Sequence, residues 1–151
     1  MLRSDLPDGL FHVVARAVYG ARIYADDTDR RRFVDLLQRC TETYRWTCHA
    51  YCLMATHYHL ILDARRRDVS AGVRYLNGCH AQRFNLRHER YGALFAERFS
   101  ARVIEDEQYL YDACSYVLLN PVKAGLCDTV EGVGLVVQQL RPRSDLTPRS
   151  A

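Results

Sequence analysis

Residues 45–53, Arg-Trp-Thr-Cys-His-Ala-Tyr-Cys-Leu, form an aromatic and β-prone run, and after a short break at Ala55-Thr56 a second apolar run extends from His57 to Leu62. Two such runs with so little chain between them predict a β-hairpin, so at least part of any sheet here is antiparallel. The second run opens His57-Tyr58-His59-Leu60. Alternate side chains of a strand share a face, which puts the two imidazoles on one side, about 7 Å apart at Cα, and Tyr58 and Leu60 on the other. A divalent ion held between them is the first candidate ligand. The competing reading is a pair of core histidines with hydrogen-bonded nitrogens.

The flanking chain limits the fold further. Pro7-Asp8-Gly9 is a turn signal, and 10–16, Leu-Phe-His-Val-Val-Ala-Arg, follows it as a first strand. Thr28 is a plausible N-cap for a helix in which Phe33, Leu36, Leu37, Cys40 and Tyr44 recur at helical spacing. A second helix is predicted over roughly 69–87, with Val69, Val73, Leu76, His80 and Phe84 on its apolar stripe and Arg74, Asn77, Ala81 and Asn85 away from it. Over 98–104, Phe99, Ala101 and Val103 alternate with Arg98, Ser100 and Arg102, a strand with one basic side. Glu105 and Asp106 open a third helix that Asn120-Pro121 halts, because proline pushes the preceding residue out of helical geometry.

Strand, helix, strand, strand, helix, strand is the order of an α+β, ferredoxin-like split βαβ fold, with helices on one face of an antiparallel sheet and here a further C-terminal helix. With 151 residues, 48% of them hydrophobic, one core is expected. The domain is assigned to 1–130, and 131–151 reads as an extension in part disordered. No apolar run approaches the roughly 18 residues of a membrane span, and the N-terminal residues lack a signal-peptide core, so a cytoplasmic location is expected. The six cysteines contain no CxxC pair and read as small buried residues, although Cys48 and Cys52 could join the histidines in a structural zinc site.

Charge is segregated along the chain. Residues 1–64 balance eight Arg against eight acids, 65–102 carry nine Arg against three acids, and 103–131 carry one Lys against six acids. A basic middle of this kind suits a polyanion, and a solvated Arg-rich surface is the bland alternative. Arg65, Arg66, Arg67, Arg74, Arg98 and Arg102 are the candidate contacts to such a polyanion. The first three stand at a helix N-terminus, where they oppose the helix dipole and an anion would relieve them.

On the third predicted helix Tyr109, Asp112, Tyr116 and Asn120 share a face. Tyr116 at the core boundary and Asn120 as a C-cap is the structural alternative. Together with the histidines and a basic groove they form a set suited to phosphodiester chemistry: a metal on His57, His59 and Asn120 would polarise a phosphate oxygen, and the Tyr116 oxygen could attack phosphorus. Because ligand histidines must be neutral, activity is expected to fall below about pH 6.

Phe11-His12-Val13-Val14-Ala15-Arg16, the helix start at 27–33, His49-Ala50-Tyr51-Cys52-Leu53-Met54, His57-Tyr58-His59-Leu60, Leu76-Asn77, Arg98-Phe99 and above all Tyr116-Val117-Leu118-Leu119-Asn120-Pro121-Val122-Lys123-Ala124-Gly125-Leu126 resemble the REP-associated tyrosine transposases, which belong to the single-tyrosine His-hydrophobic-His nucleases. The resemblance covers roughly 7–127. It implies an endonuclease and strand transferase dependent on Mg²⁺ or Mn²⁺, acting on single-stranded DNA at hairpin-forming repeats. Tyr116 would be the nucleophile, leaving a 5′-phosphotyrosine and a free 3′-OH. His57, His59 and Asn120 would hold the metal. A monomer or homodimer without membrane association is implied. The chain departs from the family pattern at Ala55-Thr56, where relatives have Pro-Asn, at Arg16-Ala17-Val18, where they have Arg-Gly-Asn, and at the bulky Tyr58. The alternative is a non-catalytic nucleic-acid-binding module on the same fold.

Overall fold

The computed structural model describes residues 8–106 together with Gln108, Tyr109, Asp112 and Ser115. Its elements run β1 (Gly9–Arg16), α1 (Asp27–Tyr44), β2 (Thr47–Leu53), β3 (His57–Ala64), α2 (Arg66–Arg87) and β4 (Ser100–Ile104). The four strands make one sheet in the order β2-β3-β1-β4, and every pairing is antiparallel. This is the α+β arrangement expected from the order of elements. The third helix and the extension at 131–151 fall outside the described residues, apart from the four positions named. Among the described residues no helix is long and apolar enough to cross a membrane.

Side-chain parity sorts the sheet into two faces. Phe11, Val13 and Ala15 of β1 and Tyr58, Leu60 and Leu62 of β3 pack in one core with Phe33, Leu36, Leu37 and Cys40 of α1 and Val69, Val73, Leu76 and Phe84 of α2. Both helices therefore cover the same face. On the other face a smaller apolar cluster joins Ala50, Cys52, Met54, Ile61 and Ile104, with Leu10 and Tyr109 packed against it. His80, on the apolar stripe of α2, is a core histidine. Its Nε2 lies 2.6 Å from the Ile23 carbonyl, to which it donates, and burial holds its pKa below the usual value.

Two local details differ from the expected boundaries. The N-cap of α1 is Asp26, not Thr28, with the Asp26 carboxylate accepting from the Asp29 amide at 3.0 Å. Thr and Asp are both good caps, and the choice is made by a residue distant in sequence. Arg87, the last residue of α2, places its guanidinium on both oxygens of Asp26 at 2.7 and 2.8 Å and reaches Asp29 at 2.7 Å, so the start of α1 and the end of α2 are clamped together. At the other boundary, Arg45 and Trp46 are not in a strand. Arg45 takes the left-handed conformation (φ 57°) as the C-cap of α1, which turns Trp46 into the core.

Trp46 is fully buried, its indole N–H donating to the Asp68 carbonyl at 3.2 Å, and its ring rests on Gly72 of α2. A β-carbon at position 72 would run into that ring, whereas one at Gly78 of the same helix would meet nothing within 4 Å. Alanine outranks glycine in a helix by about 0.8–1 kcal/mol, while overpacking a rigid core costs about 1–3 kcal/mol. Gly78→Ala should therefore stabilise the protein by about 0.5–1 kcal/mol and Gly72→Ala should destabilise it by about 1–2 kcal/mol in urea unfolding. Equal midpoints for the two variants would show that the indole does not depend on the missing side chain.

Candidate functional site

The pairing of β1 with β3 builds the site. Arg16 stands opposite His57 and Val14 opposite His59, so His12, Val14 and Arg16 share a face with His57, His59 and Ile61. β4 adds Ser100 opposite Val14 and Arg102 opposite His12. This is the face turned away from the helices. The His57 and His59 rings are 5.2 Å apart between centroids, and those of His12 and His59 are 5.3 Å apart. His12 Nε2 lies 3.1 Å from His59 Nδ1, a hydrogen bond across two strands.

The hairpin turn that presents His57 is fixed from three sides. The Met54 amide donates to the His57 carbonyl at 2.8 Å, closing the turn. The Ala17 amide donates to the Thr56 carbonyl at 2.7 Å and the Ile23 amide to the Ala55 carbonyl at 2.9 Å. Two of the segments that depart from the family pattern, Ala17-Val18 and Ala55-Thr56, thus meet each other here. The Thr56 hydroxyl also lies 3.2 Å from His57 Nδ1. The third departure, Tyr58, points into the helix-side core and donates its hydroxyl to the Asn77 side chain at 2.5 Å.

A cavity of about 520 Å³ opens on this face, lined by His12, Val14, Arg16, His59, Arg98, Ser100, Arg102, Tyr109 and Asp112. Three guanidinium groups against one carboxylate give it a positively charged lining. Burial, and after it Arg16 and Arg102, favours the neutral form of the imidazoles. Burial lowers the His59 pKa to about 3, with His12, His57 and Arg16 adding to the effect; burial and then Arg16 lower that of His57, and burial and then Arg102 lower that of His12.

Neutral imidazoles are the form that binds a metal. Two of them on one strand face, 5.2 Å apart between ring centroids, would offer an ion nitrogen donors from the same side of the sheet. Among the described residues no three His, Cys, Asp or Glu side chains converge as a complete metal set. The pair supplies two donors.

The structural zinc reading fails on the sheet's geometry. Cys48 and Cys52 have the same parity, yet the register shifts between Cys48 and Ala50, and this bulge turns Cys48 into the helix-side core while Cys52 lies on the opposite face. Burial pushes the Cys48 thiol up to about 12, the wrong direction for a metal ligand. Among the described residues Cys40, Cys48, Cys52 and Cys79 form no disulfide.

Of the residues expected at the site, His59, Arg98 and Arg102 line the cavity together, and His57 stands beside His59 without lining it. Tyr116 and Asn120 lie outside the described residues. Arg65, Arg66 and Arg67 stand past the far end of β3, roughly 25 Å along the strand from His57. There Arg65 pairs with Asp68 at 2.8 Å and the Arg66 amide donates to Asp8 at 2.8 Å. Arg74 is exposed on α2, the helix covering the opposite face. His12 and Arg16 were not expected in the site. Their signal was the parity of β1, legible only once β1 is known to pair with β3.

The family described as "Transposase IS200 like" matches residues 7–118, which include His57, His59 and Tyr116. A Haemophilus influenzae protein assigned as a REP-associated tyrosine transposase is 24% identical over 132 residues, covering 76% of this chain and 75% of the relative. Among solved structures, a REP-associated tyrosine transposase bound to a REP hairpin has a TM-score of 0.68 at 15% identity, covering 87% of this chain and 77% of that one. A Deinococcus radiodurans protein assigned as a transposase has a TM-score of 0.53 at 17% identity, covering 75% and 96%.

The lowered histidine pKa values also set a pH dependence of stability. A base whose folded pKa lies below its unfolded value takes up its proton first in the unfolded chain. The neutral state of the His59 ring therefore persists below about pH 6, and stability declines as pH falls from about 6.5 toward the folded value. In an NMR titration the His59 ring should stay neutral through about pH 5, well past the midpoint of an ordinary histidine. A His59 midpoint near 6.5 would show that burial and its charged neighbours do not govern the ring.

Proposed function

Because this chain belongs to the IS200-like transposase family, we propose that it is a divalent-metal-dependent endonuclease and strand transferase for single-stranded DNA bearing a hairpin. The observation that carries this reading is the meeting of His59 with Arg16, Arg98 and Arg102 around one cavity, with His57 beside His59 and opposite Arg16 on the same face of the sheet. A phosphodiester in the cavity would find its charge matched by the guanidiniums. His57 and His59, with Asn120 as third donor, would hold Mg²⁺ or Mn²⁺. The ion would polarise a non-bridging phosphate oxygen. The Tyr116 oxygen attacks phosphorus, the bond from phosphorus to the 3′-oxygen breaks, and that oxygen takes a proton to become the free 3′-OH. The resulting 5′-phosphotyrosine conserves the bond energy, and a second 3′-OH can reverse the step to rejoin strands.

The arginines divide by position. Arg16, Arg98 and Arg102 line the cavity and would contact the strand undergoing reaction. Arg65, Arg66 and Arg67, roughly 25 Å away, would be reached only by nucleic acid extending about seven nucleotides further, at about 3.4 Å each.

Incubating the protein with hairpin-bearing single-stranded DNA and Mn²⁺ should give a covalent protein-DNA adduct on a denaturing gel. The adduct should vanish with chelator, with Tyr116→Phe and with His57→Ala. DNA that binds tightly but forms no adduct with any hairpin or metal would favour the non-catalytic binding module instead. Salt dependence tests the surface separately. On short oligonucleotides Arg98→Ala and Arg102→Ala should each reduce the slope of log affinity against log salt by about one, while Arg65→Ala should leave it unchanged. The opposite ranking would move the binding surface to the other end of the sheet.

A further inference from the structure

We propose that His12 is a positioning residue for His59, accepting a hydrogen bond from His59 Nδ1–H at its own Nε2 and so holding the His59 ring with Nε2 as its metal-facing nitrogen. The role in metal binding rests on the reading of His57 and His59 as ligands. So does the choice of tautomer, because an ion on Nε2 leaves Nδ1 as the protonated nitrogen.

The geometry is set by the backbone. His12 is on β1 and His59 on β3, paired in a register that puts Val14 opposite His59 and leaves His12 on its diagonal. Diagonal neighbours are reached only by long or ringed side chains, and here the two nitrogens stand 3.1 Å apart. His59 is almost completely buried, at 3% exposure, so its ring cannot take its orientation from solvent.

Between two neutral imidazoles, one contributes the N–H and the other the lone pair. If His12 were the donor, the single proton of His59 would sit on Nε2, and a ring so protonated could not offer that nitrogen to an ion. With His59 as donor the proton occupies Nδ1, and Nε2 carries the lone pair. His57 repeats the pattern, with Nδ1 facing the Thr56 hydroxyl at 3.2 Å. Each candidate ligand therefore has Nδ1 engaged by a protein oxygen or nitrogen, the outer-shell arrangement that fixes tautomer and ring angle in metal sites. His12 is not itself a third ligand, because with His57 and His59 it forms no three-donor set.

The tautomer is read directly from long-range ¹H–¹⁵N correlations of the histidine rings in the metal-free protein. The expected result is Nδ1–H at His59 in the wild type, lost or mixed with Nε2–H in His12→Leu, and kept in His12→Gln, whose amide oxygen can accept the same bond. Nε2–H at His59 in the wild type overturns the proposal without any variant having to fold. So does an unchanged tautomer in a folded His12→Leu. Mn²⁺ affinity should fall about 10- to 100-fold in His12→Leu and recover in His12→Gln. Loss as complete as in His59→Ala, with no recovery in His12→Gln, would make His12 a ligand and overturn the positioning role. If the wild type binds no Mn²⁺ but shows Nδ1–H at His59 that depends on His12, the metal reading fails and the control of the ring by His12 stands.

Discussion

The antiparallel pairing of β1 with β3 is the constraint on which the rest of the molecule depends. These are the two central strands, and their parity decides at once which side chains build the core and which build the site. Phe11, Val13 and Ala15 go to the helices together with Tyr58, Leu60 and Leu62. His12 and Arg16 go to the other face together with His57 and His59. A slip of one residue would bury histidines among leucines and expose the core, so the hydrophobic effect that fixes the fold also fixes the polar constellation.

The rest of the structure works to hold that register. Thr56 and Ala55 give their carbonyls to Ala17 and Ile23, tying the turn before β3 to the chain leaving β1. Arg87 and His88 close on Asp26 and Asp29, so the two helices cover one face as a unit. Desolvation of the Asp29 carboxyl is more than offset by its hydrogen bonds from Ala25, Arg87 and His88, and its pKa is lowered. The face left to the site then combines charge, burial and neutral nitrogens within one ladder, and this combination is what suits it to an anionic substrate and a cation together.

Features written in local periodicity were legible in the sequence. The hairpin at Ala55-Thr56, the shared face of His57 and His59, and the basic side of 98–104 all follow from alternation with a period of two. What depends on distant partners was not. His12 stood in a predicted strand with no hint that its neighbour would be His59, some 47 residues on. Asp26 outcompeted Thr28 as a cap because Arg87 and the Asp29 amide meet it there. The bulge at 48–50 left no mark that composition or parity could show, and it alone separates Cys48 from the face of Cys52. Counting charge along the chain grouped Arg65, Arg66 and Arg67 with Arg98 and Arg102, although β3 carries the first three to the opposite end of the sheet. Tyr116 and Asn120 lie outside the described residues, so half of the proposed ligand and nucleophile set rests on sequence.

Among the described residues β4 occupies an outer position in the four-stranded sheet and is only five residues long. An outer strand offers unpaired backbone groups to any other strand it meets, and brevity and charge are the usual protections. Arg102 within the strand and Arg98 just before it supply that charge. The side chains proposed to contact substrate would therefore also guard this border against self-association, and replacing both with apolar residues would trade the proposed ligand contacts for a sticky border. Neutralising this strand should be accompanied by a change in colloidal behaviour, which makes solubility and light scattering necessary companions to any binding study of these arginines.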